Sequence, residues 1–300
     1  MKCNICPREC GVDREQGKLG FCRSPEAFSV AKIMLHKWEE PCIAGERGAG
    51  TVFFSGCNLR CVFCQNCDIS RGDLGRLMTD GEMESAIFQL AEDAECIEFV
   101  TPTHYTRRLA MLLQRVKPRL QIPVVWNSGG YESVESLRLL DGLVDVYLPD
   151  FKYFDGEIAQ KYSSAPNYLE IVTEALAEML RQTGRPRFDE RGMLTRGVLV
   201  RHLVLPGHRA DSIAVLNHIA ENFGADSVLL SLMSQYTPEF YAESGACEYK
   251  NLCRRVTKFE YDSAMKVALA HGFEGYFQGV DSASKKYTPD FGDKGENNDE

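Results

Sequence analysis

Long apolar stretches are absent from this sequence. No run of apolar residues approaches the ~20 that a helix needs to cross a membrane. The chain starts with Met-Lys-Cys-Asn-Ile-Cys-Pro, which contains no apolar core of the kind found in a secretory signal peptide. We therefore expect a cytoplasmic protein with no membrane partner. The closely spaced cysteines described below add the expectation of a reducing, low-oxygen setting.

An excess of basic residues is also absent. The 300-residue chain has 34 lysines and arginines against 43 aspartates and glutamates, a formal net charge of -9 at pH 7. This balance argues against the broad basic surface of nucleic-acid-binding proteins, so we expect no nucleic-acid partner. The length suits one large domain with a substantial core, and 44% hydrophobic residues is ordinary for a globular protein.

Twelve cysteines are present, and their close spacing indicates metal or redox sites rather than disulfides. Cys57, Cys61 and Cys64 form a C-x3-C-x2-C motif directly after an apolar β-type run at residues 51–54. Three thiolates can bind three irons of a cubane [4Fe-4S] cluster, which usually has four cysteine ligands. One iron is then open to a small ligand, as in a reactive metal site. The alternatives are buried thiols or a zinc site with Cys67 as the fourth ligand.

Four further cysteines lie within the first 23 residues, in a C-x2-C-x3-C-x11-C pattern: Cys3, Cys6, Cys10 and Cys22. This segment is rich in turn-forming glycine and proline and has too few apolar contacts to fold alone, so a metal would hold it together. Four thiolates without a histidine suit zinc or a second iron-sulfur cluster, and the spacing does not decide between them. The alternative is a set of free surface thiols.

From residue 51 onward, predicted strands alternate with predicted helices. The strands are residues 51–55, 97–100, 122–126, 143–148, 198–205 and 228–233, after an earlier strand at 28–35. The helices are residues 83–94, a helix that ends at 117, 131–140, 156–162, 168–181, 212–223 and 261–271. Six alternating strands predict parallel βαβ units in a barrel or an open sheet.

The cysteine motif, directly after a strand, resembles the cluster loop of the radical S-adenosylmethionine (SAM) superfamily. The resemblance implies that Cys57, Cys61 and Cys64 bind a [4Fe-4S] cluster whose open iron is chelated by SAM, with Phe63 against the adenine. It also implies an α/β fold, the partial (β/α)6 TIM-like barrel of radical SAM enzymes, with a short N-terminal cysteine-rich metal-binding extension. We expect the extension and a connector at residues 1–49, the core barrel at 50–280 and a polar, partly disordered tail at 281–300.

Polar residues at the predicted strand ends match further family positions. Thr101, Thr103 and His104 stand where the family has a Gly-Gly-Glu stretch that binds the SAM amino group, and this chain has no Gly-Gly-Glu there. A local hydrogen bond at a helix start is the alternative for His104. Asn127 and Ser128 replace the Asp-Thr-Asn-Gly of the pyruvate formate-lyase activating enzyme near SAM. An asparagine in place of aspartate weakens any cation site, and a plain turn is the alternative.

Asp150 and Lys152 match the Asp-Ile-Lys of the same enzyme. They share one face of an extended segment, and the resemblance implies that they hold SAM and its counter-charges; a surface ion pair is the alternative. Arg201 starts an Arg-His-Leu-Val-Leu-Pro-Gly stretch that resembles the enzyme's Arg-Tyr-Val-Val-Val-Pro-Gly, so it would contact the SAM carboxylate or ribose. Cys247 and Cys253 are interpreted as free thiols, with a part in the N-terminal site or at the substrate as the alternative.

The branch most resembled is that of the activating enzymes, including the PflX-type members, which share the Cys-x-x-Cys-Pro-Arg-x-x-Cys start seen at Cys3 to Cys10. This implies an oxidoreductase or lyase. A reductant of the flavodoxin or ferredoxin type would supply the electron that cleaves SAM to a 5'-deoxyadenosyl radical, which abstracts a hydrogen atom.

The substrate is left open by the resemblance. One hypothesis is a glycine of a partner protein, as in a glycyl-radical activase, although the ferredoxin-like insert common in activases is absent after the cysteine motif. The alternative is a small molecule or another peptide. A non-catalytic iron-sulfur or zinc protein is a third hypothesis.

Overall fold

The computed structural model describes residues 2–72, 74–243 and 248–279, together with Pro289 and Phe291. The strands are β1 (Phe28–His36), β2 (Ala49–Phe54), β3 (Arg76–Met78), β4 (Ile97–Val100), β5 (Val124–Ser128), β6 (Val146–Pro149), β7 (Arg187–Phe188), β8 (Leu194–Leu203), β9 (Leu229–Met233) and β10 (Gly275–Phe277). The helices are α1 (Pro41–Ala44), α2 (Cys67–Ser70), α3 (Asp80–Asp93), α4 (Thr106–Val116), α5 (Val134–Arg138), α6 (Gly156–Ser163), α7 (Tyr168–Thr183), α8 (Arg209–Phe223), α9 (Pro238–Glu243) and α10 (Lys258–His271). Single 3-10 turns occupy Thr103–Tyr105, Lys117–Arg119, Ala225–Ser227 and Lys250–Cys253.

Local sequence fixes where several helices begin. Thr79 caps α3 and Thr257 caps α10, and in each case a glutamate three residues later completes a capping box. The two hydroxyls satisfy backbone N–H groups that have no partner within the helix. These caps set the orientation in which each helix meets the sheet.

The strands form one sheet in the order β10-β9-β8-β6-β5-β4-β2-β1-β3, and β7 pairs with β8. From β2 to β10 neighbouring strands along this order are parallel, whereas β1 and β3 are antiparallel to their neighbours. Within the part of the chain that the structure describes, β10 does not pair with β3. The sheet is therefore a partial barrel with one unclosed side, and the predicted α/β radical SAM-type barrel is confirmed.

Alternate residues of the strands face two different environments, as the period of a strand requires. One set packs beneath the helices in the main core, with Phe54, Phe99, Trp126 and Tyr147 among its largest side chains. The other set points into the barrel. At the N-terminal ends of the strands this interior is apolar and closed by Cys42 and Ile43 of α1. Closer to the C-terminal ends it becomes polar, and there the candidate site lies.

Some predicted boundaries differ from the structure. The helix expected at residues 131–140 is restricted to Val134–Arg138, because Ser133 caps it by accepting from Ser136 N–H. The connector expected before the first barrel strand contains the short helix α1. The tail prediction for residues 281–300 and the interpretation of Cys247 lie outside the described residues, except that Phe291 packs 5.5 Å from the ring of Phe53. No described helix has the length and apolarity of a membrane span.

Candidate functional site

The cysteine motif occupies the loop at the C-terminal end of β2. Gly56 begins this loop with a φ of +87°, a conformation that glycine adopts without strain. Cys57, Cys61 and Cys64 follow, each partly buried, and none of the described cysteines is in a disulfide. Because β2 is a parallel strand of the barrel, this loop lies at the rim where (β/α) barrels carry their chemistry.

Hydrogen bonds orient two of the three sulfurs. The Leu59 N–H donates to Cys57 Sγ at 3.3 Å, and the Ser163 hydroxyl donates to Cys61 Sγ at 2.9 Å. The Ser163 hydroxyl also shares a 2.7 Å hydrogen bond with the Tyr153 hydroxyl. Hydrogen bonds to sulfur are one means by which proteins tune iron-sulfur clusters. This set of donors therefore fits a thiolate-bound cluster.

The three thiols are close enough to affect one another. Burial raises the pKa of Cys57, and Cys61 adds to the effect. Burial, together with Cys61 and Cys57, raises the pKa of Cys64 to about 12. Among the described residues no three metal-ligating side chains converge on a position for a single ion, either at this loop or at the N-terminal cysteines, so the zinc alternative with Cys67 stays open. Thiols in this setting become thiolates only beside positive charge, which a bound iron cluster supplies.

Phe63 packs behind the cysteine loop in an aromatic cluster. Its ring lies edge-on to those of Tyr153, Tyr162 and Tyr236, with centroids 6.2–6.5 Å apart. Rings in this arrangement bury much apolar area and exclude water from the loop. The contact of Phe63 with an adenine stays a prediction.

Asp150 and Lys152 form an ion pair beside the cysteine loop. The Lys152 ammonium donates to Asp150 Oδ2 at 2.5 Å, and both side chains are mostly buried. Burial opposes the charge on Lys152, but Asp150 and then Cys61 raise its pKa above the ordinary value. Burial likewise opposes the charge on Asp150, but Lys152 and Arg201 hold its pKa below the ordinary value. The pair therefore stays charged, with its cation next to Cys61.

Arg201 lies at the centre of the polar interior. Its Nε donates to Asp150 Oδ1 at 3.1 Å and its Nη2 donates to Asn127 Oδ1 at 2.6 Å. A third contact joins Nη1 to Glu39 Oε2 at 3.4 Å. The predicted residues Asn127, Asp150 and Arg201 thus form one connected group, in which the guanidinium fork bridges three different segments.

A buried carboxylate continues this group. Glu98 on β4 is completely buried and accepts from Asn127 Nδ2 at 2.7 Å and from the Thr51 hydroxyl at 2.9 Å. Burial raises its pKa above the ordinary value, although both hydrogen bonds act in the opposite direction. A charged residue on an apolar strand is a weak signal of an interior site, and sequence reasoning missed it here.

Thr101, Thr103 and Ser128 lie on the rim between β4 and β5. Thr101 has a φ of +56°, a left-handed conformation that is strained for a β-branched residue. The Thr103 hydroxyl donates to Glu132 Oε1 at 2.9 Å, and Ser128 Oγ accepts from the Gly130 N–H at 3.3 Å. Their contacts with SAM stay predictions.

His104 is directed away from this group. Its ring is buried, and Nε2 lies 3.1 Å from the Ser55 carbonyl oxygen. Burial and then Arg14 lower its pKa to about 3, so the ring is neutral at pH 7 and Nε2 donates to that carbonyl. The bond joins residues 49 positions apart in the sequence, so it is not the local helix-start bond of the alternative interpretation. The ring lines the cavity of the N-terminal cysteines, and a contact with SAM stays a prediction.

The N-terminal cysteines line one small cavity: Cys3, Cys6, Cys10 and Cys22. Cys6 and Cys22 are each 8% exposed, so these two are not surface thiols. The Phe21 N–H donates to Cys10 Sγ at 3.3 Å. Burial raises the pKa of Cys6 to about 12, and the three other cysteines add smaller increases. The quartet thus resembles the cysteine loop in its burial and in its N–H···S contact.

Arg8 fixes the N-terminal segment to the cysteine loop. Its Nε donates to the Asn58 carbonyl at 2.8 Å, and its Nη2 donates to the Ser163 carbonyl at 2.8 Å. The guanidinium also lies 4.0 Å from the ring centroid of Phe21 and 5.1 Å from that of Tyr131. Since Asn58 follows Cys57 and the Ser163 hydroxyl contacts Cys61, Arg8 connects the two cysteine sites.

The chain is similar to one family model, to one relative by sequence and to two solved structures. The radical SAM superfamily model matches residues 51–217. The uncharacterized protein MJ0674 of Methanocaldococcus jannaschii is 33% identical over 280 residues, which cover 91% of this chain and 75% of that protein.

The two solved structures have lower sequence identity to this chain. A domain of the pyruvate-formate lyase-activating enzyme from Bacteroides vulgatus has a TM-score of 0.45 and 13% identity, covering 61% of this chain and 99% of that domain. Methylornithine synthase (PylB) has a TM-score of 0.49 and 16% identity, covering 75% of this chain and 66% of that protein.

Proposed function

The chain belongs to the radical SAM superfamily, and on that premise we propose that it generates a substrate radical by removing a hydrogen atom. Members of this family are enzymes that use a [4Fe-4S] cluster and SAM and need an external reductant. When bound, the cluster supplies one electron to SAM, whose sulfonium C–S bond breaks to give methionine and the 5'-deoxyadenosyl radical that takes the hydrogen atom. The protein supplies binding, orientation and exclusion of water.

One observation carries this proposal: three mutually interacting thiols on one rim loop, with the ammonium of Lys152 beside them. We assign Cys57, Cys61 and Cys64 as the cluster ligands. Lys152 would hold the carboxylate of SAM, because an ammonium beside the cluster complements a ligand that is bound there through its carboxylate. Asp150 accepts a hydrogen bond from this ammonium, and Arg201 donates to Asp150. The two residues therefore keep the ammonium oriented.

The remaining predicted contacts surround the same rim. Thr101 and Thr103 would hold the amino end of SAM, and Phe63 would cover the adenine. Asn127 and Ser128 would line the SAM site between Thr101 and Arg201. For the electron donor we propose a small protein of the flavodoxin or ferredoxin type.

The finer assignment is a glycyl-radical activase, in which the hydrogen atom comes from a glycine of a partner protein. The match of Asp150, Lys152 and Arg201 to the activating-enzyme pattern supports it. A radical SAM enzyme for a small molecule or another peptide is the alternative, favoured by the lack of a ferredoxin-like insert after Cys64.

We also propose a second metal centre at Cys3, Cys6, Cys10 and Cys22. The shared cavity, the burial of Cys6 and Cys22 and the raised pKa of Cys6 support a bound metal, since a buried thiol with a raised pKa needs a cation to become a thiolate. Zinc and an iron-sulfur cluster both suit four thiolates. Through Arg8 and Asn58 this centre would adjoin the cysteine loop, and an iron-sulfur cluster there, unlike zinc, could pass electrons to it.

The test is anaerobic reconstitution of the wild type and two variants, followed by counts of iron and zinc and an assay of 5'-deoxyadenosine with dithionite as the reductant. The first variant replaces Cys57, Cys61 and Cys64 with alanine, and the second replaces Cys6 and Cys22. We expect the wild type to form 5'-deoxyadenosine and the first variant to form none.

The metals separate the remaining alternatives. Metal retained by the first variant and lost from the second belongs to the N-terminal centre, and its identity decides between zinc and iron. A wild type that binds only zinc and leaves SAM intact under reduction contradicts the proposed function and favours a non-catalytic zinc protein.

A further inference from the structure

A cavity of about 280 Å³ lies along the unclosed side of the barrel. Its wall combines the segment after β1, the cysteine-loop residue Gln65 and residues of β8, β9 and β10. β1 and β10 lie on opposite sides of the parallel strands, so a wall that includes residues of both lies at the unclosed side and the interior that adjoins it. We call it the seam cavity. Gln65 follows Cys64 directly, so the cavity reaches the loop at which the proposed radical would form.

Carboxylates outnumber cations at this cavity. Glu39 and Glu40 both line it, and Arg201 is the one cation in the described lining. Arg201 donates to Asp150 and Asn127 and lies 3.4 Å from Glu39, and its interaction with Glu40 is the attraction of the two charges without a direct hydrogen bond in the described structure.

The next residues outward do not reverse this balance. Behind Arg201, Asp150 is paired with Lys152. Burial raises the pKa of Glu39 and of Glu98, so these two carboxyl groups carry less negative charge than their number suggests. The pKa of His36 is lowered to about 4 by burial and by Arg201, so its ring adds no positive charge at pH 7. A positive charge beside Glu39 and Glu40 would favour the ionised form of these carboxyl groups, which burial opposes at Glu39.

Three buried polar atoms on residues that line this cavity have no hydrogen-bond partner in the described structure: Ser231 Oγ, His36 Nδ1 and Glu40 Oε2. Ser231 is 1% exposed and His36 is 5% exposed. Burying polar atoms without a partner costs free energy, and such atoms in a cavity mark the position of a missing donor. An ammonium group carries three N–H donors and a positive charge, and it has no acceptor.

The rest of the wall suits an alkyl chain. Trp38, Pro41, Met233 and Phe277 line the cavity beside the polar groups. We propose that the seam cavity binds the alkylammonium group of the substrate, with Glu40, Ser231 and His36 as its acceptors and the apolar wall around its methylenes. This inference rests on the proposed radical function, and it adds the substrate class. The ammonium could belong to a free amine or to a lysine side chain.

The test measures binding to the reconstituted enzyme by anaerobic calorimetry at pH 7.5. The probes are n-pentylamine, its neutral analogue n-pentanol and the anion pentanoate. We expect saturable binding of n-pentylamine and none of comparable strength for the other two probes. Glu40→Gln removes one charge with little change in shape and should weaken n-pentylamine binding by about ten-fold or more. Ser231→Ala should weaken it by several-fold.

Glu46→Gln is the matched control. Glu46 is an exposed glutamate beyond the opposite end of α1 from Glu40, and its replacement changes the net charge by the same amount. Equal weakening by Glu40→Gln and Glu46→Gln, or tighter binding of pentanoate, overturns the proposal. So does loss of n-pentylamine binding when SAM is saturating, since the cavity would then belong to the SAM site.

A last comparison distinguishes the two sources of the ammonium group. It also tests the seam-cavity proposal separately from the proposed radical SAM function. N-acetyl-lysine amide binding as tightly as n-pentylamine assigns the group to a protein substrate, and weaker binding assigns it to a small amine. 5'-Deoxyadenosine formation is measured on the same preparation. A preparation that cleaves SAM but binds no n-pentylamine overturns the seam-cavity proposal alone.

Discussion

Arg201 on β8 donates a 2.6 Å hydrogen bond to Asn127 on β5, although β6 lies between these two strands in the sheet. The link therefore crosses the interior of the barrel. The same guanidinium contacts Asp150, which follows β6, and Glu39, which follows β1. One side chain therefore connects β5, the end of β6 and the segment after β1. The conformation of the candidate site depends on this single cation.

Replacing Arg201 with methionine should destabilise the fold. The change leaves Asp150 and Glu39 without their shared cation in a mostly buried place, which costs roughly 3 kcal/mol in the free energy of unfolding. Lys258→Met is the control, since Lys258 pairs with Asp262 at the surface and its loss should cost less than about 0.5 kcal/mol. Urea denaturation of both variants measures the difference. Similar values for the two would mean that the Arg201 contacts do not stabilise the fold.

Replacing Lys152 with methionine should weaken SAM binding. The ammonium lies beside Cys61 and is held there by Asp150, so its loss removes the proposed partner of the SAM carboxylate. Loss of one partner of a buried charge pair costs about 2 kcal/mol or more, roughly a thirty-fold weaker affinity.

Equilibrium dialysis of SAM with the reconstituted enzyme gives this affinity. Lys152→Arg should recover part of it, because the charge is kept, and Lys266→Met on the exposed face of α10 should leave it unchanged. An unchanged SAM affinity in Lys152→Met would contradict the assigned role.

The strand-helix alternation and the position of the cysteine loop could be predicted from the sequence because both are local signals. Hydrophobic periodicity marks each element, and the three-cysteine motif lies within ten residues of one strand end. The helix at residues 131–140 was predicted too long for a physical reason. Tyr131 stacks on Tyr168 and Ser133 caps the first turn, and neither contact affects periodicity.

The interior carboxylates could not be predicted in the same way. Glu98 lies on an apolar strand and Glu39 in a segment that the sequence presents as a loop. They come within reach of Arg201 only because parallel strands curl into a barrel. The position of His104 has a similar cause. Its neighbours on the cavity wall belong to the N-terminal segment, some ninety residues away, as the Arg14 contact with its carbonyl shows.

Glu95 should make stability depend on pH. Its carboxylate accepts from Arg47 at 2.9 Å and from Arg191 at 2.7 Å, and these bonds lower its pKa from 4.5 to about 2. Because the folded-state pKa lies below the unfolded one, the stabilisation is complete above pH 4.5 and is lost as the pH falls towards 2.

We expect Glu95→Gln to cost about 1–2 kcal/mol at pH 7, since both arginines are partly exposed and their attraction is screened. The cost should shrink steadily between pH 5 and pH 2 in urea denaturation. Glu92→Gln, at an exposed position of α3, should show no such trend. A cost for Glu95→Gln that does not vary with pH would mean that packing rather than charge makes Glu95 stabilising.

Gly56 is where the N-terminal segment meets the cysteine loop. Its φ is +87°, and a Cβ built there would lie 2.5 Å from the Cys22 carbonyl oxygen and would also meet Ser24 Oγ. Gly142 offers a matched comparison, because its φ is +76° and a Cβ there meets open space. The two glycines share the backbone strain of a left-handed residue and differ in the steric clash.

Gly142→Ala should therefore cost only the strain, about 1 kcal/mol, whereas Gly56→Ala should add roughly 1–3 kcal/mol because backbone must move away from backbone. The movement would separate Cys22 from the residue that precedes Cys57. We thus expect Gly56→Ala, and not Gly142→Ala, to make the first 23 residues sensitive to protease and to lower the metal content after reconstitution. Equal stability, protease resistance and metal content in the two variants would show that the two cysteine sites do not depend on each other.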